Sequence, residues 1–325
     1  MINNFAYLKA GSISEAVKAL SAEGARLHAG GTDLLGCLRD EIFQADTVVS
    51  ISGLREMKQI NSSTAPIPVM FIGALASLAD IAADPAVVKN YPVLAQAAAA
   101  VGSPQIRQQG TIGGNLCQRP RCWYFRSDLQ CRKKGGDICY AMGGENQYHA
   151  IFGGGPCFFV HPSDTAVALT ALGAELIIAG PSGNNRVNIE DFFVSPRKTV
   201  EKENILLSNE IVTDIAIPTM SETARSSYRK VRARNAWDFA LVSVATVIVF
   251  DNDRVRSARI VLGGVAGLPW RVAAAEKKLQ GRKIDEDAVS EAAEAAVEGA
   301  VPLRDNRYKL EIVKGVVKES LMALA

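Results

Sequence analysis

The sequence predicts an α+β protein built as two mixed lobes followed by an α+β tail domain. Three observations predict it. Residues up to about 55 follow a βαβαβ rhythm, and strand–turn–helix units recur as far as Pro218. After 219–226, read as a linker, strands flank an Asn252-Asp253 turn, and Ala/Glu-rich helices finish the chain.

The totals agree with a globular chain. Its 325 residues suffice for two or three domains. A content of 48% hydrophobic and 22% charged residues argues against disorder. A net charge of +2 offers no basic field for nucleic acid. No run of about 18 apolar residues predicts membrane insertion. The N-terminal "MINNFAYLKAGSISEAV" lacks a basic segment followed by an apolar one, so the expected compartment is reducing and cytoplasmic. Export to the periplasm while bound to a signal-bearing partner is the alternative.

The elements follow in order. Phe5–Lys9 is a short strand, and a helix capped at Ser12 or Ser14 buries Ala16, Val17 and Leu20. Gly24 stops that helix, "RLHA" is a strand, and "GGTD" turns the chain into the helix "LLGCLRDEI". The strand "DTVVSIS" follows. A second lobe starts near Pro66 with a strand, a helix started by Ser77, and an Ala-rich helix stopped by Gly102. "GTIGGNL" is a second glycine turn. "HPSDTAVALTALGAELIIAG" is a helix capped near Ser163 or Asp164, then a strand, and "EIVTDIAIP" is the strand that closes the lobe. Long helices run from Ala273 to Leu324.

The two glycine pairs are the first candidate site. In "AGGTDLL" (29–35) bare backbone N–H groups can approach an anion, and the next helix directs its positive end there. "TIGGN" (111–115) offers the same on the second lobe, so the two turns can grip one diphosphate from both sides. Two ordinary packing turns would read alike. Neither is a G-x-G-x-x-G fingerprint, and no Walker A sequence is present.

Cysteine is the second signal. The order Cys117-x4-Cys122-x8-Cys131-x7-Cys139-x17-Cys157 has no x2 pair of the zinc-knuckle type. His149 and His161 lie nearby and could complete a zinc site. Disulfides need an oxidising compartment and would leave one cysteine over, whereas a 4Fe–4S cluster needs four thiolates and tolerates long loops. Arg119, Arg121, Arg126, Arg132, Lys133 and Lys134 are opposed between 118 and 134 only by Asp128. That excess would favour thiolates and raise a cluster potential, or else form a solvated patch. Trp123, Tyr124 and Phe125 would either screen a cluster or anchor the loop.

The blocks "AGGTDLL", "PQIRQQGTIGGNLCQ", "HPSD", "YRKVRARNAWDFALVSVA" and "LGGVAGLPWR", in this order, resemble the FAD-binding medium subunit of the molybdenum hydroxylase (xanthine oxidase) family. The resemblance implies the two-lobed FAD fold shared with vanillyl-alcohol oxidase over residues 1–218, with lobes of about 1–60 and 61–218. A carbon-monoxide-dehydrogenase-flavoprotein-like α+β domain over 222–325 would follow. It implies that Ala29, Gly30, Gly31, Thr32, Asp33, Leu34 and Leu35 wrap the FAD diphosphate. Thr111, Gly114 and Asn115 would hold it from the second lobe, with Val101, Asp164, Val212 and Lys230 on the flavin side. On the residues alone, Lys230 reads equally as a solvated base on a strand edge, and Asp164 as a helix cap.

A subset of that family carries an inserted 4Fe–4S loop, found in bacterial aldehyde oxidoreductases and 4-hydroxybenzoyl-CoA reductases. The insertion of about 118–160 resembles it and implies Cys122, Cys131, Cys139 and Cys157 as ligands. Cys117 belongs to the flavin turn, and Cys37 reads as a buried small residue.

The resemblance further implies a heterotrimer with a large molybdenum-cofactor subunit and a small 2Fe–2S subunit. Electrons would pass through FAD to an external acceptor such as a quinone, ferredoxin, oxygen or NAD, most closely in aldehyde oxidation. A 4-hydroxybenzoyl-CoA reductase, a xanthine or N-heterocycle dehydrogenase, a free-standing flavin or iron–sulfur carrier, and a zinc-stabilised binding module are the competing readings.

Overall fold

The computed structural model describes residues 2–63 and 69–325. The expected lobe start near Pro66 lies outside the described residues.

The first lobe is a small three-layer unit. Ala6–Lys9 and Ala25–His28 both pair in parallel with the central strand Thr47–Ser50. Parallel neighbours need a crossover, and the helix Leu34–Arg39 provides it between Ala25–His28 and Thr47–Ser50, while the two outer strands are joined by the helix Ile13–Leu20. Ser12 is its cap, accepting from the Glu15 N–H, and Ala16, Val17 and Leu20 are buried as expected.

The second lobe centres on a five-stranded antiparallel sheet ordered Ile60–Ser63, Val69–Gly73, Ile211–Pro218, Glu175–Gly180, Gly183–Asn188. Ile211–Pro218 therefore lies in the middle, paired on both sides, and six of its eight residues are buried. Against it pack the helices Leu78–Ala83 and Pro92–Ala99, and the helix Asp164–Leu172. All nine residues of the last are buried, because sheets lie on two of its sides. A helix Pro104–Gln109, capped by Ser103, was not legible as such in the sequence.

The stretch expected as a linker, 219–226, is partly strand. Ala224–Val231 begins a four-stranded antiparallel sheet with Val242–Asp251, Arg254–Gly263 and Trp270–Arg271. Asn252, at φ 55°, makes the tight turn where Asn-Asp was read as a turn. Helices Ala273–Leu279, Glu286–Ala295 and Lys309–Met322 cover one face of this sheet.

Between Gln118 and Val160 regular structure is sparse, with only two short 3-10 turns. This arm is rooted in the C-terminal core. Ile151 and Phe152 both donate to the Val265 carbonyl, at 2.8 and 3.0 Å, and Phe152 stacks on Trp270 at 5.1 Å.

Candidate functional site

The two glycine turns meet back to back. A Cβ on Gly30 would stand 1.8 Å from the carbonyl oxygen of Gln109, so only glycine lets the first lobe lie against the second here. Gly31 has φ +74°, in the left-handed region that favours glycine. The second turn is in fact the start of a short helix, Ile112–Leu116, where Thr111 Oγ1 accepts from the Gly114 N–H at 3.2 Å.

Two cavities open on either side of this junction. One of about 940 Å³ is lined by Ala29, Gly30, Gly31, Leu34 and Val212, among others. The second, of about 320 Å³, is lined by Val101, Asn115, Asp164, Lys230 and Phe239. Thr32, Asp33, Thr111, Gly114 and Gln118 line both. An elongated ligand with an anionic middle fits this shape, since the bare backbone of Gly114 lies at the waist and that of Gly30 and Gly31 lines the larger cavity beside it. Of the residues expected around FAD, only Leu35 lines neither cavity; its side chain is exposed on the outer face of its helix.

The smaller cavity has a polar anchor. Ser163, not Asp164, caps the helix, which frees the Asp164 carboxylate for other partners. It accepts from the Tyr228 hydroxyl at 2.5 Å and from Lys230 Nζ at 2.7 Å, and Lys230 also reaches the Ala100 carbonyl. The Lys230 side chain is only 4% exposed, so it is no solvated edge residue. Burial, then the Asp164 charge, pushes the Tyr228 hydroxyl well above its usual pKa, so it stays a neutral donor. Asn115 Oδ1 accepts from Ser163 and Thr165 hydroxyls at 2.6 and 2.7 Å, tying the second turn to the same helix.

Asp164→Asn leaves Lys230 buried without a counter-charge and should destabilise the protein by about 3–5 kcal/mol. Thermal denaturation checks this. The double variant Asp164→Asn/Lys230→Met should recover part of the loss; a double variant as unstable as the sum of the singles would refute the pairing.

Lys133 bears electrostatically on Cys157, as a basic excess around thiols would, but most of the arm's basic residues make ion pairs. They dock the arm. Asp33 accepts from the Arg119 N–H at 2.7 Å and from Arg121 and Arg126 guanidiniums, each at 2.8 Å. Both its oxygens thus serve the docking of the arm. Glu203 holds Arg119 at 2.9 Å and the buried Lys133 at 2.6 Å. Arg132 and Lys134 donate to carbonyls within the arm. Phe125 is buried beneath, while Trp123 and Tyr124 pack around His149.

All six cysteines are free thiols. Cys139 hydrogen-bonds to Cys157, which lowers its pKa to about 6 and raises that of Cys157. Cys122 is pushed up to about 11 by burial, and Cys131 and Cys139 bear on it electrostatically. Its Sγ lies 3.2 Å from His149 Nε2. The four expected thiols therefore share one neighbourhood. Cys117 stands apart at the end of the second turn, pushed up to about 12 by burial and the Glu203 charge. Cys37 is fully buried, as expected, yet its sulfur also meets Arg126 Nη1 at 3.0 Å. Among the described residues, no group of three or more His, Cys, Asp or Glu side chains is gathered tightly enough to hold a metal ion. His161 faces Phe193 and the Ser163 N–H. A cluster of several irons spans more space than one ion, so its thiolates stand further apart.

Two partners escaped the sequence reading. Tyr228 could have been found, because it shares a strand face with Lys230 two residues on. Glu203 carries no local signal in "EKENI".

Comparison with known proteins places these features in a family. Residues 3–220 match the FAD binding domain in molybdopterin dehydrogenase, and residues 226–324 match the CO dehydrogenase flavoprotein C-terminal domain. The aldehyde oxidoreductase FAD-binding subunit PaoB of Escherichia coli is 37% identical, over 95% of each chain. The glyceraldehyde dehydrogenase medium chain of Sulfolobus acidocaldarius is 28% identical over 99% of this chain and 98% of its own. A carbon monoxide dehydrogenase structure from Hydrogenophaga pseudoflava superposes with a TM-score of 0.79 at 26% identity, covering 100% of this chain and 98% of that one.

Fold and matches together define a flavin-binding oxidoreductase subunit. The chain belongs to the molybdenum hydroxylase family, as its FAD-binding medium subunit. No helix among the described residues is long and apolar enough to cross a membrane.

Proposed function

We propose that this chain is the FAD- and 4Fe–4S-carrying electron-transfer subunit of a heterotrimeric molybdenum hydroxylase that oxidises aldehydes to carboxylic acids. A large molybdenum-cofactor subunit and a small 2Fe–2S subunit are its partners, and an external acceptor takes the electrons. The observation that carries the reading is the bonding of a four-thiol arm to Asp33 of the first glycine turn. Flavin cradle and thiol set are thereby one mechanical unit. The similarity to an aldehyde oxidoreductase subunit supports the substrate class.

In this reading residues 1–218 form the FAD domain and 222–325 the C-terminal domain. Backbone around Gly30, Gly31, Thr111 and Gly114 receives the diphosphate at the waist of the two cavities. Asp164, held by Tyr228 and Lys230, presents a fixed polar wall to the ring side, and Val101 and Val212 supply apolar contact. FAD, when bound, exchanges electrons singly with clusters and in pairs with an acceptor. Cys122, Cys131, Cys139 and Cys157 hold the cluster. The complex works in the cytoplasm, or in the periplasm if a partner carries it there.

Purification of the complex tests this. A yellow-brown preparation with about four irons in this chain, bound FAD, a co-purifying molybdenum subunit and turnover on an aldehyde panel is expected. A colourless chain loaded with zinc would sink the proposal. Activity confined to an aromatic acyl-CoA or a purine would transfer it to a reductase or a xanthine-type enzyme.

A further inference from the structure

We propose that Glu203 is a positioning residue for FAD, clasping the cysteine arm against the larger cavity so that FAD affinity depends on the seated arm; this rests on that cavity's receiving FAD, as proposed above. The arm is part of the cavity wall. Arg119, Phe125, Lys133 and Lys134 line it from the arm, and residues 201–204 and 206–210 line it from the segment ahead of the strand Ile211–Pro218. The arm is a long excursion with little regular structure. The other wall is rooted in the second lobe. There the Glu203 carbonyl accepts from the Val194 N–H at 2.9 Å, and the Phe192 carbonyl accepts from the Ile205 N–H at 3.0 Å.

One buried carboxylate joins the two walls. Glu203 Oε2 lies 2.9 Å from Arg119 Nε, and its Oε1 lies 2.6 Å from Lys133 Nζ. Neighbouring carbonyls complete the clasp, since Lys133 Nζ donates to Val200 at 2.7 Å and Arg119 Nη2 to Glu201 at 3.2 Å. Lys133 also stands over the Phe159 ring at 4.4 Å, and Arg119 over the Phe125 ring at 5.2 Å. The arm is thus caught at two points, one on each side of Phe125.

The sign of the charge is the anomaly. Glu203 is only 4% exposed and lines a cavity suited to a diphosphate. A carboxylate there repels that ligand, so attraction cannot be its use. Its charge is instead taken up by the two arm cations. Burial lowers the pKa of Lys133, and the Glu203 charge opposes that shift. Asp33, the other carboxylate that docks the arm, stands on the first glycine turn. Asp33 therefore ties the arm to the first lobe and Glu203 ties it to the second. Without Glu203, FAD would have to order a loose wall as it binds, and ordering costs affinity.

The purified complex, stripped of FAD and titrated with FAD, tests this through affinity and amide hydrogen exchange. In the wild type FAD should protect the amides of residues 29–35 and also those of 118–134, because such coupling is reciprocal. Glu203→Gln should weaken FAD binding about tenfold and abolish the protection of 118–134. Loss of a nearby negative charge by itself would instead tighten binding. The double variant Glu203→Gln/Lys133→Met removes both charges of the buried pair. It should regain thermal stability lost in the single variant yet still bind FAD weakly, a split that a merely structural ion pair would not give. FAD held by either variant as tightly as by the wild type, or more tightly, overturns the inference. So does wild-type exchange in which FAD protects 29–35 but not 118–134, a result that needs no variant to fold. A wild type in which FAD leaves 29–35 unprotected overturns the cavity assignment itself, and the inference with it.

Discussion

Gly30→Ala will empty the flavin site. The new Cβ would stand 1.8 Å from the Gln109 carbonyl oxygen and 2.8 Å from its carbon, both backbone atoms that cannot rotate away. The first lobe must then lift off the second, widening the waist where the two cavities meet. Overpacking of this kind costs about 3 kcal/mol at the upper end. Directed at a binding site, that is about a hundredfold in affinity. Flavin absorbance per purified chain should fall nearly to zero, and full FAD occupancy would refute the diphosphate assignment. Gly315→Ala is the control. It sits in the helix Lys309–Met322 with open space around it. There alanine should leave flavin content unchanged and stabilise the helix by about 0.5–1 kcal/mol.

Cys139→Ser will remove iron and spare FAD. Cys139 lines a separate groove with Ile138, Tyr140, Met142 and Phe158, and lines neither flavin cavity. Its hydrogen bond to Cys157 and its electrostatic reach to Cys122 place it inside the thiol group. Serine oxygen is a poor substitute for thiolate on iron. Iron should drop from about four per chain to near zero. Cys117→Ser should keep its iron, because Cys117 stands at the flavin turn. Iron unchanged in the first variant, or lost in the second, would refute the ligand set.

Much of the fold was legible because it is set locally. Ser12, Ser77 and Ser163 each cap the helix that follows, and each is recognisable by its place before an apolar-periodic run. The glycine pairs stood out for the same reason: few residue types tolerate a close backbone approach. The linker reading failed at Ala224 because "ARSSYRKV" is polar on the face that stays partly wet, and its pairing with Val242–Asp251 lies beyond any local window. The polar wall was half legible. Asp164 and Lys230 followed from the family likeness, but their bond joins residues 66 apart, and Tyr228 came only with the strand face.

The sequence by itself determined much of the element order, the places of the two glycine pairs and of the cysteines, and the family. Each depends on residue type at a position, through backbone sterics, capping or thiol chemistry. Tertiary structure alone decided where the charges go. Arg126 reaches Asp33 across 93 residues and Arg119 reaches Glu203 across 84, so a run read as a field around thiols became the clamp that seats the arm. It also left Lys309 buried, donating to two carbonyls and with no carboxylate partner among the described residues. Coulomb energy depends on distance and burial, and both are made by the fold.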